Sequence, residues 1–225
     1  MQVREIYRKL PNFSNAKLIE IYQKLGFTQV LAGKKTEAEA TYLTTFNIAE
    51  TSFGVESKES FTANLNLANF YARTGNSKQA DEKYLQIYRL AKHKFGDEEV
   101  EQINDSRVCY SNNFEQTEKW FNNEYDQIFG IEHSNKEKVI NGKALSLIKP
   151  SYPAEAKKLQ LTGTVKIRVE IDENGDVIKA RSACGNGILE NASKQAAFLC
   201  KFSPTLLNGK PVKVVGVIVY NFTAQ

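Results

Sequence analysis

Residues 163–183 read GTVKIRVEIDENGDVIKARSA. Val165, Ile167, Val169 and Ile171 alternate with Lys166, Arg168 and Glu170, the period of two expected of a half-buried strand. Asn174-Gly175 is the strongest short hairpin signal, and VIKARSA returns as a second strand. After Gly185-Asn186-Gly187, the segment ILENASKQAAFLCKF places Leu189, Ala192, Ala196 and Leu199 on one helical face. SPTLLNGKP then turns into VKVVGVIVYNF at 212–222, a long strand apolar on both faces. A hairpin, a helix and a third strand satisfy the right-handed crossover rule when the third strand lies beside the first. The expected sheet is three-stranded and antiparallel, in the order 2-1-3, with one helix packed on one face.

The third strand is then an edge. Val212, Val214, Ile218, Tyr220 and Phe222 turn toward the helix, while Val215, Val217 and Val219 face away. An uncovered apolar edge is an aggregation hazard unless something pairs with it. Val212, Val214, Val215, Gly216, Val217, Ile218, Val219 and Tyr220 are therefore the candidate partner-strand site. Three occupants suit it: an extended segment of a partner protein, a second copy of this chain, or the helical part of the same chain.

That helical part repeats itself. GKKTEAEATYLTTFNIAETSFG (33–54) aligns without a gap on GNSKQADEKYLQIYRLAKHKFG (75–96), an offset of 42. Gly33/Gly75, Ala38/Ala80, Tyr42/Tyr84, Leu43/Leu85, Ala49/Ala91, Phe53/Phe95 and Gly54/Gly96 coincide. Each unit reads as a helix pair: Leu18, Tyr22, Leu25 and Gly26 share a face before Gly33, and a second helix spans about Lys35 to Ser52. Leu67, Ala68, Phe70 and Tyr71 precede Gly75 in the same way. These units resemble the tetratricopeptide repeat in its longer, kinesin-light-chain-like form, over about residues 16–96. VEQINDSRVCYSNNFEQTEKWFNNEYDQIFG (100–130) reads as a degenerate unit closing the array.

First helices of such repeats line a concave side, so the resemblance turns Asn66 and Asn69 into a groove. Thr62, Asn66, Asn69 and Arg73 form one polar stripe at helical spacing, and Lys24 and Phe27 hold the matching places in the first unit. Carboxamides there can bond a peptide backbone in both directions; the alternative is a solvated outer face.

The C-terminal markers, Tyr152-Pro153 with Ala156, Gly163 and Val165, Asp172 and Gly175, Leu189 and Ala192, continue to the end of the chain. There they are Phe202 and Pro204, Gly209 and Pro211, and a terminal Phe222. Over some 75 residues they resemble the TonB C-terminal domain. The resemblance implies uptake of a short extended segment of an outer-membrane transporter by strand addition. It also implies a periplasmic setting, cytoplasmic being the alternative. The expected fold is α+β: a helical-repeat domain at 1–130, a linker at 131–148 whose VINGKALSLI end is a candidate short strand, and a TonB-like domain at 149–225. The alternative function is a repeat scaffold in which the small domain only dimerises or caps.

Composition adds exclusions. Hydrophobic residues at 41% and charged residues at 25% are globular values. From Val139 onward there are 12 Lys and Arg against 6 Asp and Glu, but they are spread singly, which argues for a solvated face rather than nucleic-acid binding. No membrane span, cofactor motif, metal-ligand motif or catalytic constellation is visible. DENGD at 172–176 lacks the Gly and Glu that a calcium loop needs. His93 and His133 read as solvated. Cys109, Cys184 and Cys200 show no CxxC spacing, and a Cys184–Cys200 disulfide would have to join the two ends of the expected helix, so it is not expected.

Overall fold

Ser14 opens the first helix: its hydroxyl oxygen accepts the Lys17 N–H at 3.2 Å, satisfying one of the amides left without a carbonyl at a helix start. The computed structural model describes residues 14–110 and 139–223. The helices are α1 (Asn15–Leu31), α2 (Lys35–Phe53), α3 (Lys58–Thr74) and α4 (Ser77–Leu90), then a π turn at Ala91–Phe95 and α5 (Asp97–Tyr110). The remainder of the degenerate third unit, and His133, lie outside the described residues. Among the described residues no helix is long and apolar enough to cross a membrane.

Residues up to 103, with Tyr110, group into one unit; residues 104–109 group with the C-terminal chain in another. In the first unit α1 packs on α2, α2 on α3 and α3 on α4. The 42-residue offset carries over into burial: Ala38 and Ala80, Tyr42 and Tyr84, and Ala49 and Ala91 are all buried. Close approach explains the small residues, since a Cβ on Gly26 would lie 3.0 Å from the Tyr42 ring. Gly75 ends α3 in the left-handed region at φ 89°, and Asn76 N–H reaches back to Tyr71 O, the closing pattern that favours glycine. Identity is not always shared environment. Leu43 and Phe53 are exposed, whereas Leu85 is buried and Phe95 meets Phe61 edge-on at 5.5 Å.

The second unit contains β1 (Val139–Ile140), β2 (Ala144–Ser146), α6 (Ala154–Lys158), β3 (Gly163–Ile171), β4 (Val177–Cys184) and α7 (Gly187–Phe198). It continues with β5 (Lys201–Phe202), β6 (Thr205–Leu207), β7 (Lys210–Val212) and β8 (Val214–Phe222). The main sheet is antiparallel in the order β4-β3-β8, the expected 2-1-3 arrangement, and the architecture is α+β. Helix α7 packs against β3 and β4. Val165, Ile167 and Val169 meet Leu189, Ala196, Ala197 and Ala156 in one core.

Two sequence expectations are corrected. Leu199 does not share the buried helix face: α7 ends at Phe198, Leu199 is 68% exposed, and Ser193, Ala197 and Cys200 complete the buried set. Val212 does not belong to the long strand. A second Asn-Gly turn, with Asn208 at φ 52° and Gly209 at φ 81°, folds β7 back on β6 so that Val212 pairs with Thr205. At the end of the segment read as a linker running into a short strand, β1 pairs with β6 and β2 with β5.

The β3–β4 turn depends on Gly175. It sits at φ 85°, and an added Cβ would lie 1.9 Å from Phe202 O, because Phe202 N–H donates to Gly175 O at 2.9 Å. Asp172 completes the turn, accepting the N–H groups of Asn174 at 2.9 Å and Asp176 at 2.8 Å. The Asp176 amide, ahead of smaller contributions, holds this carboxyl below its ordinary range.

Gly175→Ala is expected to destabilise the C-terminal unit by about 2 kcal/mol or more, since the obstacle is backbone and the dihedral is unfavourable; urea unfolding followed by circular dichroism measures it. Ala80→Arg is expected to cost about 4 kcal/mol or more, because a cation would enter a helix contact with no room or partner. Unchanged helicity and Tm would refute the close-contact role of position 80.

Candidate functional site: an open strand edge beside a groove

Strand β8 pairs along one side only. Its register with β3 runs from Gly163↔Phe222 to Ile171↔Val214, and no described strand pairs with its other side. Burial alternates as expected: Ile218, Tyr220 and Phe222 are buried, while Val215 is 56% and Val219 50% exposed. Gly216 belongs to the core side, where an added Cβ would lie 3.6 Å from the Val169 and Ile171 side chains. From Val214 to Phe222 there is no charged residue.

Beside this edge lies a groove of about 510 Å³. One wall is Ile218–Thr223; the other is Leu147, Ile148, Lys149, Pro150 and Tyr152, with Lys157. The second wall is held in place. Ile148 N–H donates to Cys200 Sγ at 3.4 Å, the Tyr152 hydroxyl donates to Leu161 O, and the Tyr152 ring meets Phe222 edge-on at 5.7 Å. Tyr220 lies beneath, its hydroxyl 3.6 Å from Cys200 Sγ; burial, and then this contact, push its pKa up. Sequence reading missed the Leu147–Pro150 wall. Its only signal was a few apolar residues in a stretch without strong periodicity.

On the opposite face of the sheet β3 and β4 are polar. Arg168, 6% exposed, donates from Nε to Asp105 Oδ1 at 2.8 Å, and Arg181 Nε donates to Asp105 Oδ2 at 3.1 Å. Lys166 Nζ donates to Val108 O at 2.9 Å and Cys109 O at 3.1 Å. Residues 104–109 thus sit over β3 and β4 within the second unit, which is why they do not group with the helices before them.

The helical unit has a separate groove of about 440 Å³, lined by Glu20, Gln23, Lys24, Phe27, Thr28, Tyr42 and Asn66. It brings together Lys24, Phe27 and Asn66 of the candidate set. Arg73 reaches them with its guanidinium 5.1 Å above the Phe27 ring. Asn69 is differently engaged, its Oδ1 accepting the hydroxyl of buried Tyr84 at 2.7 Å, and exposed Thr62 is not part of the lining. Among the described residues no group of three or more His, Cys, Asp or Glu is placed to hold a metal ion.

Residues 148–223 match the family model described as Gram-negative bacterial TonB protein C-terminal. Protein TonB of Vibrio cholerae serotype O1 is 36% identical over 67 residues, 29% of this chain and 28% of that protein. Protein TonB of Yersinia enterocolitica is 54% identical over 39 residues, 17% of this chain and 15% of that protein. The chain therefore spans less than a third of the length of these relatives, and the likeness is confined to its C-terminal part. Residues 148–223 are therefore similar to the TonB C-terminal domain, and the β4-β3-β8 sheet, the Gly175 turn and the Tyr152–Phe222 contact all lie within that stretch.

Proposed function

We propose that this is a non-enzymatic protein of the bacterial cell envelope, acting in the periplasm, whose TonB-type domain binds an extended segment of a partner protein by strand addition to β8. The observation that carries this reading is the charge-free outer edge of Val214–Phe222 beside a groove of about 510 Å³. An added strand would take its main-chain bonds from β8 and its specificity from the alternate side chains that enter the groove. Lys149 and Lys157 on the facing wall favour a segment that is apolar with an acidic residue at one end. A segment of an outer-membrane transporter is the partner this reading assigns to the edge. The helical pairs, read as tetratricopeptide repeats, are a second protein-interaction surface, with Lys24, Phe27, Asn66 and Arg73 around its groove. The exposed Val215 and Val219 equally suit a second copy of the chain, the basis of the scaffold reading in which this domain dimerises.

Hydrogen exchange separates these readings. Strand addition predicts that the outward amides of residues 214–222 exchange fast in the free protein and slow when a transporter-derived extended peptide is added. Self-pairing predicts protection that rises with protein concentration. Full protection at every dilution without peptide would sink both. Ladder bonds alternate in direction, so one of Val217 and Ile218 carries the outward donor. Proline at that position is expected to abolish association while the domain stays folded, since it removes a donor that β3 does not use.

The helical groove is tested by Asn66→Ala. Loss of one amide contact is expected to weaken a captured peptide by about five- to tenfold, with stability changed by less than about 0.5 kcal/mol. Asn69→Ala should instead cost about 1–3 kcal/mol of stability, because the Tyr84 hydroxyl loses its acceptor. Calorimetric titration and thermal melts on the two variants distinguish a binding residue from a structural one.

A further inference from the structure

Two of the three cysteines meet on the polar face of the C-terminal sheet, far in sequence from one another and away from the β8 groove. Cys184 is the last residue of β4 and pairs with Lys166 of β3. The Lys166 ammonium is fixed on the carbonyl oxygens of Val108 and Cys109, so the same lysine marks the place where Cys109 arrives. The thiols of Cys109 and Cys184 are within hydrogen-bond contact of each other, and both residues are half-buried rather than sealed off. Cys200, by contrast, is buried in the core and engaged by Ala196 O, Tyr220 and the Ile148 amide.

We infer that Cys109 and Cys184 are a thiol pair that forms an intramolecular disulfide, a redox latch fastening residues 104–109 to the polar face of the sheet. The chemistry favours Cys184 as the attacking sulfur. Its hydrogen bond with Cys109, helped by the Lys166 ammonium, outweighs burial and brings the thiol down to about 7, so a large fraction is thiolate near neutral pH. The oxidant is a disulfide donor, either a small-molecule disulfide or a disulfide oxidoreductase. Cys184 thiolate attacks one donor sulfur, expels the other as thiolate and forms a mixed disulfide. Cys109, after losing its proton, attacks the Cys184 sulfur and releases the second donor thiolate. The two protein thiols lose two protons and two electrons, and the donor is reduced to two thiols.

The latch acts where the sheet most needs cover. Arg168 and Arg181 both bond Asp105, so a covalent tie at Cys109, one helical turn further along, keeps that carboxylate over the two guanidinium groups. It also closes a loop of about 75 residues, which restricts the unfolded chain and raises stability.

The test treats the full chain with oxidised glutathione, counts thiols and maps peptides without reduction. Free thiols are expected to fall from the three of the reduced protein to one, with monomer retained and the Cys109 and Cys184 peptides joined. Exchange at residues 104–109 is expected to slow, and reduction should reverse both changes. Cys109→Ser should stop the reaction at a mixed disulfide on Cys184, and Cys184→Ser should leave Cys109 reacting markedly more slowly than Cys184 does in the parent. Three persisting thiols, a bond that includes Cys200, a dimer joined through disulfides, or a mixed disulfide at Cys184 in the unsubstituted protein would each overturn the inference.

Discussion

Strand β3 must bury one face and solvate the other, and the C-terminal unit is arranged around that division. Val165, Ile167 and Val169 are almost completely removed from water, each worth roughly 1.5–3 kcal/mol when fully buried. Between them Lys166, Arg168 and Glu170 must point the opposite way. Arg168 is nevertheless buried, so its charge requires a partner. Asp105 supplies one and shares it with Arg181. Removing one member of such a buried group leaves an uncompensated charge at a cost of about 3–5 kcal/mol. The two faces of one strand thus recruit two different covers: helix α7 through apolar contact and residues 104–109 through charge.

The legibility of the sequence follows the same division. Strand period, the Asn174-Gly175 turn and the order of the three main strands were readable because each is a local pattern with few alternatives. The markers around residues 152–222 were readable for a physical reason: Tyr152 packs on Phe222, and Gly175 makes room for Phe202. The Cys109–Cys184 and Asp105–Arg168 contacts join residues more than 60 positions apart in sequence, and no periodicity announces such a meeting. Val212 falls outside the long strand because the Asn-Gly at 208–209, which in sequence also suits a turn leading straight into that strand, closes a short hairpin of its own. Leu199 leaves the apolar helical face because α7 ends one residue before it, where the chain turns toward β5.

In the helical unit the repeat was legible as an offset, yet the offset did not specify which side chains would be free. Asn66 and Asn69 lie on the same polar stripe, but only Asn66 lines the groove; Asn69 serves the buried hydroxyl of Tyr84. Tyr84 corresponds to Tyr42, whose ring instead closes over Gly26. The same aromatic in two successive units thus takes a different neighbour from the helix before it.

Both edges of the main sheet are open among the described strands, but they are not equivalent. Strand β4 carries Lys179 and Arg181, paired with Glu170 and Asp105, and charges of this kind discourage another strand from docking. Strand β8 has no such guard. The segment nearest its outer side, Leu147–Pro150, does not close it either. Ile148 spends its amide on Cys200, and Pro150 has no amide to give, so this stretch cannot continue a ladder along β8. The same features that keep the chain from pairing with itself leave a walled space beside a complete row of backbone donors and acceptors. Under the proposed strand addition an incoming strand would meet a preformed slot, and the ordering cost of binding would fall mainly on the guest.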